Sequence, residues 1–107
     1  MPAGSGGTYK VCCSQEELQR LKSMAEKASS LGIREQFLAA LKFINEKLTT
    51  EPLAWGDPLY HLKDLGLLVC HGIHSRLQVH YAVEAERHLV FIKAFEPLPG
   101  NPLAQHE

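Results

Sequence analysis

The chain is predicted to be an α+β domain: a helix hairpin packed on one face of a small antiparallel sheet, in the order β-α-α-β-β-β. Three observations carry that prediction. Apolar residues recur at helical spacing through two stretches between residues 14 and 50. Strand-like alternation takes over after Gly66. A connection rich in Pro and Gly separates the two regimes.

Residues 1–7, MPAGSGG, have neither the basic nor the apolar region of a secretory signal and are read as a flexible tail ahead of a single domain at 8–96. TYKVCC, at about residues 8 to 13, carries β-favouring Thr, Tyr and Val and is expected to be a strand at a sheet edge. Ser14 and Glu17 form a capping box that starts the first helix, with Leu18, Leu21, Met24, Ala25 and Ala28 as its apolar stripe. Gly32 stops it. A second helix from about Ile33 presents Ile33, Phe37, Ala40, Leu41, Ile44 and Leu48, and Pro52 ends it. The short link at Gly32 makes the two helices an antiparallel hairpin. EPLAWGDPLYHLKDLG reads as a connection with one helical turn around Leu59 to Leu62. LGLLVCH, RLQVHYAV and RHLVFIKAF then read as three strands of a meander, joined by a turn at Gly72 to Ser75 and by the loop Glu84 to Arg87. Residues 97–107, with three prolines in EPLPGNPLAQHE, read as an irregular C-terminal tail.

The 107 residues, 45% apolar and 21% charged, exclude a disordered chain and fit one compact core. A net charge of −1 and a pI of about 6.6 exclude a strongly basic nucleic-acid binder, so any contact with RNA or DNA has to come from a local patch. No apolar run is long enough to cross a bilayer, and a cytoplasmic location without membrane association is expected. Cys12, Cys13 and Cys70, an odd set with two adjacent members, read as free thiols in a reducing compartment.

The stretch HSRLQVHYAV holds the chemistry. At strand period it places His74, Arg76, Gln78 and His80 on one face, and Leu77, Val79, Tyr81 and Val83 on the other. Pairing across the Glu84–Arg87 loop sets Tyr81 against Val90 and Val79 against Ile92 on the core side. On the polar side it sets His80 against Phe91, Gln78 against Lys93 and Arg76 against Phe95. Arg76 and Lys93 in such a row can hold a phosphate, His80 or His74 can move protons near neutral pH, and Phe91 and Phe95 can stack bases. The plainer reading is the wet side of an antiparallel sheet. CHGIH brings Cys70, His71 and His74 close in sequence, but the spacing fits no zinc pattern, and no metal or other cofactor is expected.

From Leu41 to Phe95 the chain resembles the RelE/ParE superfamily of bacterial type II toxins. The resemblance rests on ALKFINEKLTTEPLAWGDPLYHLKDLGLLVCHG, a helix and a Pro/Gly connection entering the sheet. It continues in RLQVHYAVEAERHLVFIKAF, with an aromatic near the end of the middle strand. It implies a toxin-like protein partnered by an antitoxin, with mRNA on the ribosome or DNA gyrase as targets in different branches and a homodimer left open. Matched on Tyr81, the arginine of the ribonuclease branch falls at Gln78, with Arg76 two residues earlier, and EPLPG after the last strand has no Arg, His or Tyr. The expectation is therefore a toxin-like protein that acts by binding. The alternatives are an mRNA endoribonuclease using Arg76, Lys93 and His80, and a small cytosolic domain unrelated to toxins.

Overall fold

A computed structural model describes residues 7–104; the reading of the first six residues as a tail lies outside the described residues. The architecture is α+β, with a pair of helices packed against a five-stranded sheet. The elements are β1 (Lys10–Cys13), α1 (Gln15–Ser30), α2 (Arg34–Thr50), the short α3 (Pro52–Trp55), β2 (Asp57–Leu62), β3 (Leu67–His74), β4 (Leu77–Glu84) and β5 (Leu89–Pro97). The sheet order is β1-β5-β4-β3-β2. β2 to β5 form an antiparallel meander, while β1 pairs parallel to β5, so the sheet is mixed rather than wholly antiparallel.

The helix ends follow local chemistry. The Ser14 hydroxyl accepts the Glu17 N–H at 3.1 Å. At the other end Gly32, at φ +76°, lets its N–H reach the Ser29 carbonyl while the Ile33 N–H reaches that of Ala28. This is the paired closure that a glycine beyond the last turn permits. Ala28, Phe37, Ala40, Ile44 and Leu48 then bury against Cys70, Leu77, Val79, Tyr81, Val83, Val90 and Phe95 from the sheet.

The connection between α2 and β3 differs from expectation. Asp57–Leu62 is a strand, and the helical turns flank it: α3 before, and a 3₁₀ turn at Lys63–Leu65 after. Pro52 suits a first helical position, and Gly66 at φ +66° ends the 3₁₀ turn. Asp57 and Pro58 argue against a strand from sequence, yet β2 lies at the sheet edge, where a missing N–H is tolerated.

The hairpin and the last strand also depart from the expected register. The β3–β4 turn is Ser75–Arg76, both at positive φ (53° and 58°), so His74 belongs to β3 and faces Leu77. Between β4 and β5, Val83 pairs with Val90 and Tyr81 with Ile92, two residues along from the expected alignment. A bulge then shifts the register again, and Val79 pairs with Phe95. The extra residue turns Phe95 into the core, where it is 4% exposed, instead of onto the polar face. Beyond β5, Leu98–Ala104 folds back over the hairpin, with the Leu98 N–H on the Arg76 carbonyl and Leu103 buried in the core cluster.

Candidate functional site

The five candidate residues do not converge. Gln78 and His80 lie on the sheet face opposite the helices, because their neighbours Leu77, Val79 and Tyr81 are in the core. His74 is on the helix side: its ring stacks on Phe43 of α2, centroids 3.8 Å apart and 13° between planes. Arg76 is at the tip of the hairpin rather than in a strand, and its Nη1 donates to the Pro99 carbonyl at 3.2 Å. Its backbone carbonyl accepts both the Leu98 N–H at 2.9 Å and the Asn101 side-chain amide at 3.2 Å. Lys93 is exposed at the β5 bulge, between Ile92, which pairs with Tyr81, and Ala94, which pairs with His80. Phe91 is half-buried and pairs with Ala82 and Cys12.

The residue that joins His80 is His71, which entered the sequence reading only as a metal-ligand candidate. The two are directly opposed across β3 and β4, their ring centroids 6.1 Å apart. Asp57 of β2 is in turn opposed to His71, with its Oδ2 3.8 Å from the His71 Nε2. Directly opposed residues share a face, so Asp57, His71 and His80 form a row across three strands on the side the helices leave uncovered. Counting outward from a two-residue turn at Ser75–Arg76 gives the His71–His80 pair at once. The signal was masked because neither turn residue is the Asn or Gly that such a turn favours. A neutral and a protonated imidazole at this spacing can exchange protons with a ligand lying between them. Among the described residues, no group of three or more His, Cys, Asp or Glu side chains is arranged to hold a metal ion.

Cys13 and Cys70 are poor nucleophiles here. Burial, and then the Glu17 carboxylate, push the Cys13 thiol above its ordinary range; burial likewise raises Cys70. Both effects disfavour the thiolate that a nucleophilic cysteine needs. Tyr81, the aromatic on which the family comparison is aligned, is fully buried, and its hydroxyl donates to the Pro52 carbonyl at 2.6 Å. It ties β4 to the start of α3. Between the N-terminal end of α2, the hairpin tip and the C-terminal segment lies a mainly apolar hollow of about 230 Å³, lined by Ile33, Phe37, Ala40, Leu77 and Leu103 among others. No helix among the described residues is long and apolar enough to cross a membrane.

Comparison with known protein families, with curated protein sequences and with solved structures finds no match to this chain.

Proposed function

We propose that the protein is a toxin-like component of a type II toxin–antitoxin pair that acts by binding and does not cut RNA. The observation that carries this reading is the position of Arg76. A guanidinium that positions a scissile phosphate has to face the proton-transfer groups; this one reaches back to the Pro99 carbonyl, away from the sheet row of His71 and His80. The sheet face left open by the helices presents Tyr60, Leu62 and Ile73, each with more than a third of its surface exposed. That surface suits a partner segment that orders as it binds, the mode of an antitoxin. In this reading the surface binds an antitoxin, DNA gyrase or another cellular protein.

The test is expression in a bacterial host with and without the product of the adjoining gene. Growth arrest that is relieved by that product, together with a one-to-one complex of the two purified proteins, is the expected result. Unimpaired growth combined with no complex contradicts it. One observation favours the ribonuclease alternative: His71 and His80 face each other, and Lys93 sits beside the residue paired with His80. In that reading His71 takes the place that the sequence gave to His74, and ribosome-bound mRNA is the substrate.

A further inference from the structure

We propose that β2 is the interface of a homodimer in which two copies join their sheets edge to edge, antiparallel about Tyr60. β2 ends the sheet, all six of its residues are exposed, and among the described residues no strand lies beside its outer edge. The other edge strand is the four-residue β1. β1 covers β5 only from Leu89 to Ile92; farther along, the Glu17 carboxylate takes the Phe95 N–H, and the Tyr9 N–H before β1 is held by the Thr49 carbonyl of α2. β2 is the longer edge, six residues against four, and the one whose residues are all exposed. An open edge with apolar side chains is a template for pairing with another chain, and proteins that stay monomeric usually charge or cover it. Here Leu59, Tyr60, Leu62 and Leu65 are all exposed along and just past the strand.

The sequence DPLYHLK names the occupant. Laid antiparallel on itself with Tyr60 on the twofold axis, it sets Pro58 against Leu62 and Leu59 against His61, and it brings Asp57, at the start of the strand, near Lys63 of the second copy, which opens the 3₁₀ turn just past it. Tyr60 meets its own counterpart. Every contact off the axis occurs twice, as an isologous interface requires. Charge is complementary at both ends and the middle is apolar and aromatic, the composition that cross-strand pairs favour. Pro58 and the register shift between Pro58 and Tyr60 lie near the start of the strand, and Tyr60 to Leu62 are its regularly paired stretch. The two uncovered sheet faces become continuous across the axis. This inference does not depend on the functional reading above.

Sedimentation velocity on the purified full chain, from low micromolar to about 100 µM, tests it. A dimer mass in that range is expected, with a reduction to monomer in Tyr60→Asp. Asp57→Lys and Lys63→Asp each place like charges opposite one another and are expected to weaken the dimer about tenfold. The combined Asp57→Lys, Lys63→Asp variant restores it. All three positions are exposed, so an unchanged unfolding midpoint checks that each variant is folded. A monomer at every concentration overturns the proposal, as does a dimer that ignores Tyr60→Asp. A dimer that ignores both single charge changes overturns the pairing about Tyr60.

Discussion

The carboxylate of Glu17, on the first turn of α1, accepts the backbone N–H of Phe95 in β5 at 2.9 Å, although the two residues lie 78 positions apart in the chain. Glu17 is 5% exposed, and its oxygens also take Arg20 Nη1 at 3.0 and 3.1 Å. A buried carboxylate is tolerable only with such partners. The contact joins the start of the helix layer to the sheet at the place where β5 has run past its pairing with β1, which ends at Ile92.

Glu17→Ala therefore leaves the Phe95 N–H without its acceptor. A loss of about 2–3 kcal/mol is expected, the range for a buried hydrogen bond to a charged group, read as a lowered midpoint in urea. Arg20→Ala leaves the buried carboxylate with the Phe95 N–H but without its guanidinium, and is expected to cost about 1–3 kcal/mol.

Gly72 faces the Trp55 ring so closely that a methyl group at that position would collide with it, and Gly56 meets the Tyr81 hydroxyl in the same way. Gly72→Ala and Gly56→Ala are each expected to destabilise by about 1–3 kcal/mol through overpacking. Trp55 is the single tryptophan of the chain, so a shift of its emission in the native state should accompany Gly72→Ala and be smaller in Gly56→Ala.

These contacts mark where sequence reading ran out. The two helices were legible because Ser14, Gly32 and the stripe from Ile33 to Leu48 each act within a few residues. The alternating core face of Leu77, Val79, Tyr81 and Val83 was legible for the same reason. Glu17 read as half of a capping box, but its carboxylate turns inward to Phe95, which no local pattern states. The bulge between Ile92 and Ala94 and the Ser75–Arg76 turn were also hidden, because both adopt conformations that their residue types do not advertise. Each moved a candidate site residue: the bulge sent Phe95 into the core, and the turn sent His74 onto Phe43. The Asp57–His71–His80 row follows from pairing across three strands, so it was invisible until the register was known.

The turn itself is open to improvement. Ser75 and Arg76 both occupy the left-handed region, which costs side-chain-bearing residues about 1–2 kcal/mol each. Replacing them with Asn-Gly matches the preference of this hairpin turn. The loss of the Arg76 contact to Pro99 offsets part of the gain, and a net rise of about 1 kcal/mol in unfolding free energy is expected. Calorimetry of the double variant checks it.

Burial pushes the Tyr81 phenol well above the ordinary tyrosine value of 10.0. The folded state thus holds this proton more tightly than the unfolded chain. The stability it contributes is complete below pH 10.0 and declines as the pH rises above it. Tyr81→Phe should cost about 1–2 kcal/mol at neutral pH by stranding the Pro52 carbonyl. It should also flatten the alkaline decline by up to about 1.4 kcal/mol per pH unit. Urea midpoints of both proteins between neutral and strongly alkaline pH separate the two effects.

The proposal that the protein is toxin-like, and binds rather than cuts, is tested most directly by mapping mRNA ends in a purified translation system. The folded wild-type protein is run beside Arg76→Ala and His80→Ala. Intact message in all three reactions is the predicted result. Codon-aligned cuts by the wild type that disappear in either variant would contradict the account and make the sheet face and hairpin a ribonuclease site.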